Sequence, residues 1–85
     1  GLKMGVKKFI QSVLESLNMK NFELAGKKKS LKTLLQKLKK RRVQILSELE
    51  FETNQDKRDL IKEELSLITF HIKKGKEKLN ELKNS

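Results

Sequence analysis

Residues 28–82 read KKSLKTLLQKLKKRRVQILSELEFETNQDKRDLIKEELSLITFHIKKGKEKLNEL, and this stretch decides the fold. Ahead of Gln55 its apolar residues fall at Leu31, Leu35, Leu38, Ile45 and Leu49; beyond it they fall at Ile61, Leu65, Ile68, Ile72, Leu79 and Leu82. Both sets keep the three-and-four spacing of a coiled-coil seam. Paired across the turn, Leu49 meets Ile61, Ile45 meets Leu65, Leu38 meets Ile72 and Leu31 meets Leu79. Each pair of numbers sums to 110, so the two arms register as one antiparallel helical hairpin. Two seam positions break the apolar rule. Gly75 falls opposite Leu35, where a missing side chain permits close approach. Arg42 falls opposite Ile68, either as a polar residue that sets register or with its stem on the seam and its head in water.

Working outward, residues 51–57 form the turn without glycine or proline. Thr53, Asn54 and Asp56 are all good N-cap types, and Thr53 with Asp56 makes a loose capping box. Asp56 and Asp59 favour the positive end of the helix that follows, and Lys76, Lys78 and Lys83 suit its far end. The second helix is expected over about 21–52, starting at Asn21 or, after the helix-weakening Gly26, at Lys27 with Ser30 as a cap. The third is expected over about 55–83. Toward the N-terminus, Val6, Ile10, Val13 and Leu17 step by four, three and four, and Phe9 and Leu14 widen that face into a core-facing surface. This predicts a shorter amphipathic helix over about 3–18, with Asn18 at its C′ position and Phe22 and Leu24 anchoring the connection. The expected class is therefore all-α: a coiled-coil-like antiparallel hairpin with a short N-terminal helix, three helices in one domain over 1–85.

The first helix is too short to cover the hairpin, because a helix rises only ~1.5 Å per residue. Folding back along the second helix it reaches about the level of Leu38, where it can cover Leu34 and, depending on the side it takes, Leu67 and Phe70. Val43, Leu46, Phe51 and Leu60 lie off the seam near the turn and beyond its reach. Uncovered apolar surface of that kind marks association. These four residues are the candidate self-association site, and a homodimer is the expected assembly.

Charge narrows the remaining partners. The chain carries 21 Lys and Arg against 11 Asp and Glu, a net +10. Residues 27–42 hold nine cations and no carboxylate: Lys27, Lys28, Lys29, Lys32, Lys37, Lys39, Lys40, Arg41 and Arg42. Around the turn, Glu48, Glu50, Glu52, Asp56, Asp59, Glu63 and Glu64 outnumber Lys57, Arg58 and Lys62, giving net −4 there and +14 elsewhere. The nine cations are the candidate polyanion-binding residues, and a nucleic-acid phosphate backbone is the second partner class. On a helix, however, Lys39, Lys40, Arg41 and Arg42 point around most of the circumference. A membrane surface ranks lower, because Glu15 and few flanking lysines suit the first helix poorly to anionic lipid.

Catalysis is not expected. His71 is the sole histidine, and beside a packed seam it reads as a hydrogen-bonded structural residue. A zinc site needs three or four ligands. Glu63 and Glu64 point about 100° apart, and Ser12, Ser47 and Ser66 have no histidine at helical spacing to activate them. The glycines are isolated, so no phosphate-cradling loop exists, and no cofactor is expected. Lack of cysteine, of a signal-peptide core and of an apolar run of ~20 residues suggests a cytoplasmic setting. Gly1, with no Met before it, fits a piece of a longer protein. The functional expectation is a non-enzymatic helical-hairpin module for protein–protein interaction and self-association, with binding of RNA or DNA phosphates as the alternative.

Overall fold

A computed structural model of the chain describes residues 5–17, 19 and 26–83. Three helices follow in order: α1 (Val6–Ser16), α2 (Lys27–Phe51) and α3 (Gln55–Lys83). The two long helices pack against each other as a hairpin, and α1 lies against it, chiefly on α2. The molecule is correspondingly elongated, 46 × 29 × 20 Å.

The seam registers as the spacing predicts. Leu31, Leu38, Ile45 and Ile68 have no exposed surface, and Leu35 and Ile72 are buried with them. Ile61, Leu65, Leu79 and Leu82 pack around that cluster. Opposite Leu35 the space at position 75 is tight: a Cβ on Gly75 would stand 2.7 Å from Leu35 Cδ2, so that the end of that side chain would have to shift, and 3.7 Å from Phe9 Cε1. The glycine therefore sacrifices about 1 kcal/mol of helix propensity where Leu35 and Phe9 both close on α3. Arg42, the other exception, is exposed. Its charged head stays in water, so it does not act as a buried register polar.

Helix ends explain the departures from expectation. α2 starts at Lys27, not Asn21, with Gly26 as an extended N-cap (φ −67°, ψ 160°); residues 21–25, including Phe22 and Leu24, lie outside the described residues. Ser30 is no cap: it is buried inside the first turn, its N–H donating to the Gly26 carbonyl at 2.8 Å. α1 is shorter than 3–18, because Gly5 is already extended and Leu17 has left helical geometry. Residues 3, 4 and 18 lie outside the described residues. The Met19 N–H reaches back to the Leu14 carbonyl at 2.8 Å, the long bond with which a Schellman-type C-terminus satisfies a late carbonyl.

The turn is closed by polar contacts. Asn54, not the Thr53–Asp56 pair, caps α3: its Oδ1 accepts from the Lys57 N–H at 3.1 Å. Glu52 Oε1 accepts from the N–H groups of Thr53 and Asn54 at 3.1 and 3.0 Å, which draws Glu52 into extended backbone and ends α2 at Phe51. Arg58 then reaches back across the turn, its Nη1 donating to the Leu49 carbonyl at 2.6 Å and the Glu52 carbonyl at 2.9 Å. A guanidinium thus satisfies carbonyls that the end of α2 leaves without helical partners.

Candidate functional site: the two sides of the hairpin

One side of the hairpin carries α1. Phe9, Ile10 and Val13 are buried there together with Leu34. Apolar burial of this kind contributes about 1.5–3 kcal/mol per large side chain, enough to hold an 11-residue helix that would not persist alone. It also uses α1's apolar face, so that face is not offered to lipid. Leu34 is covered as expected. Leu67 and Phe70 remain exposed, although Phe70 lines a cavity with Phe9 and Ser12 of α1.

His71 is the unexpected group on this side. It is buried, its ring edge-on to Phe9 at 6.4 Å and to Phe70 at 5.9 Å between centroids. Neither Nδ1 nor Nε2 finds a hydrogen-bond partner among the described residues. The expectation of a hydrogen-bonded structural histidine fails, since aromatic rings rather than acceptors surround it. Burial also lowers its pKa below the ordinary histidine value. Beside it, Lys74 Nζ lies 5.8 Å from the Phe70 ring centre and Lys78 Nζ 5.5 Å from that of Phe9.

Further toward the turn the same side is uncovered. Arg41 spans the hairpin there, its Nε and Nη2 donating to Glu64 Oε1 at 3.2 and 2.9 Å, with Glu48 Oε1 3.7 Å from Nη1. Leu60, Glu64, Leu67 and His71 follow one another by four, three and four along α3 and so share one stripe. Leu60 therefore belongs to the side that α1 partly covers. Val43 does not: it opens onto the other side, beside Thr69 and Ile72. Leu46, three residues on from Val43, is its neighbour on α2.

The four residues expected to self-associate are all exposed: Val43 at 66%, Leu46 at 40%, Phe51 at 78% and Leu60 at 65%. Geometry divides them, with Val43 and Leu46 on one rim of the hairpin and Leu60 on another. Sequence reasoning had gathered them into one surface because it knew their height along the rod but not their azimuth.

The side away from α1 is a groove of about 500 Å³ between the long helices. Lys39 and Arg42 line it from α2, and Lys73 and Lys76 from α3. Of the nine cations in residues 27–42, the groove takes these two. Lys27, Lys28, Lys29, Lys32, Lys37 and Lys40 are exposed elsewhere on α2, and Arg41 is engaged by carboxylates on the opposite side. Lys73 and Lys76 were not in the expected set. Their i, i+3 spacing matches that of Lys39 and Arg42, and the register of the two arms already sets 68–83, with its lysines, beside the basic run.

No helix is long and apolar enough to cross a membrane among the described residues, and no cluster of three or more metal-ligating side chains forms among them. Comparison of the chain with protein-family models, with curated proteins and with solved structures finds no match in any of the three.

Proposed function

We propose that this protein is a non-enzymatic interaction module that self-associates through the turn half of its hairpin. The observation that carries the reading is the exposure of Val43, Leu46, Phe51 and Leu60 on a rod whose other half is covered by its own N-terminal helix. Exposed apolar residues scattered singly are ordinary. These four are confined to one end of an elongated molecule, where no further segment of the described chain lies over them. The four side chains are themselves uncharged.

The test is solution mass. Light scattering should return twice the 9.9 kDa chain mass at micromolar concentration, and Leu46→Glu combined with Leu60→Glu should return a monomer with unchanged helix content. Because Leu46 and Leu60 sit on different rims, each single variant then says which rim the partner covers. A wild-type chain that is already monomeric at high micromolar concentration ends this reading.

A further inference from the structure

We infer that the groove between Lys39 and Arg42 on α2 and Lys73 and Lys76 on α3 is a binding site for a nucleic-acid phosphodiester backbone, read by charge alone. Each helix contributes two cations three residues apart, about 4.5 Å along its axis. No carboxylate lines the groove. Some cations of the hairpin are offset by carboxylates: Lys74 pairs with Glu77 at 3.6 Å, and Arg41 with Glu64 at 2.9 Å. None of the four groove cations has an ion pair among the described residues. Four cations concentrated in a cleft with low-dielectric walls focus a positive potential there.

Shape chooses among anionic partners. A bilayer is flat and would meet only the rims, whereas a phosphodiester backbone is a ridge that enters a cleft. The floor is Ile72 and the wall includes Val43, so the site offers charge without an aromatic platform for bases. Binding should therefore depend on salt and not on sequence. The groove lies away from α1: Thr69, Lys73 and Lys76 stand two residues, about 200° of helix, before His71, Gly75 and Lys78 respectively, which face Phe9. Occupancy and the docking of α1 therefore do not compete. The groove shares Val43 with the self-association reading, but that reading does not use the four cations.

The probe is a fluorescein-labelled mixed-sequence DNA duplex followed by anisotropy. If four phosphates are neutralised, the slope of log K against log salt is about −3.6, and affinity falls about 100-fold between about 50 and about 200 mM salt. Lys73→Glu with Lys76→Glu should weaken binding at least ~10-fold more than Lys7→Glu with Lys8→Glu and flatten the slope by about 2. The two double variants change net charge equally, and Lys7 and Lys8 are exposed on α1. Circular dichroism checks that both keep their helix content. Equal loss in the two variants would reduce the attraction to overall charge and overturn the site. So would a wild-type chain that leaves the duplex unbound at low salt, whether or not it binds anionic vesicles. Light scattering on the same samples reads self-association separately, so failure of one proposal is not mistaken for failure of the other.

Discussion

The two halves of this hairpin are built on the same seam and stabilised by different physics. Near the chain ends of the long helices, α1 adds a second layer, and Phe9, Ile10, Val13, Leu31, Leu34 and Leu35 are buried around Gly75. Near the turn there is one layer only: Ile61 and Leu65 are half-buried, and Val43, Phe51 and Leu60 stand in solvent. There the closure is polar, through Arg58 on the carbonyls of Leu49 and Glu52, Asn54 on the Lys57 N–H, and Arg41 on Glu64. Two packed helices fully bury seam residues such as Ile45, but only with a third element does burial extend off the seam to a residue such as Leu34. The half without one adds hydrogen bonds to its seam and leaves apolar side chains exposed.

The sharpest way to break this contrast is to empty one position in each half. Leu34 is fully buried beneath α1, and Leu60 is largely exposed. Leu34→Ala should cost about 3 kcal/mol, the transfer and cavity terms together, whereas Leu60→Ala should stay within about 0.5 kcal/mol. Urea denaturation of both variants checks the pair. Comparable losses would mean that the turn half is as well packed as the rest.

Next in size is the polar closure of the turn. Arg58→Ala strips a charged donor from two half-buried carbonyls and should cost about 2 kcal/mol. Arg58→Lys should recover only part of it, since a single ammonium cannot reproduce the planar geometry of the guanidinium. Thermal unfolding followed at the helical band reads both. A silent Arg58→Ala would show that seam packing alone closes the hairpin.

The smallest effect belongs to the layered half. His71 is buried with both ring nitrogens unpartnered among the described residues, so His71→Phe should raise stability by about 1 kcal/mol. It should also remove a pH dependence whose sign is fixed. Burial lowers the folded-state pKa below the unfolded value, so the unfolded chain takes up the proton first. The stability that neutral His71 confers is full above its ordinary pKa of 6.5 and is lost as pH falls through that value toward the folded pKa. Denaturation midpoints measured across that window should fall for the wild type and stay flatter for His71→Phe. Identical slopes would mean that α1 lifts freely enough to hydrate the ring.

Much of this was legible in the sequence, and the reason differs by feature. The hairpin register followed from Leu31 to Leu82 because antiparallel helices with a shared turn have one free parameter, and eleven apolar residues fix it many times over. Gly75 against Leu35 came with it. The start of α2 at Lys27 was one of two readable choices. Arg58 was not legible as a clamp, because its carbonyl partners Leu49 and Glu52 become reachable only after the chain reverses.

By itself, then, the sequence determined what depends on periodicity and composition: three helices, their register, a buried stripe and a basic rod with a less positive turn. Tertiary structure alone decided what depends on azimuth and proximity. It set α1 on one side of the hairpin, left His71 among rings, and parted Val43 and Leu46 from Leu60. It also picked Lys39 and Arg42 out of their run, and Lys73 and Lys76 out of the facing lysines, to line one groove. A charge run records neighbours along the chain, whereas a site is made of neighbours in space, and in a hairpin those come from the opposite arm.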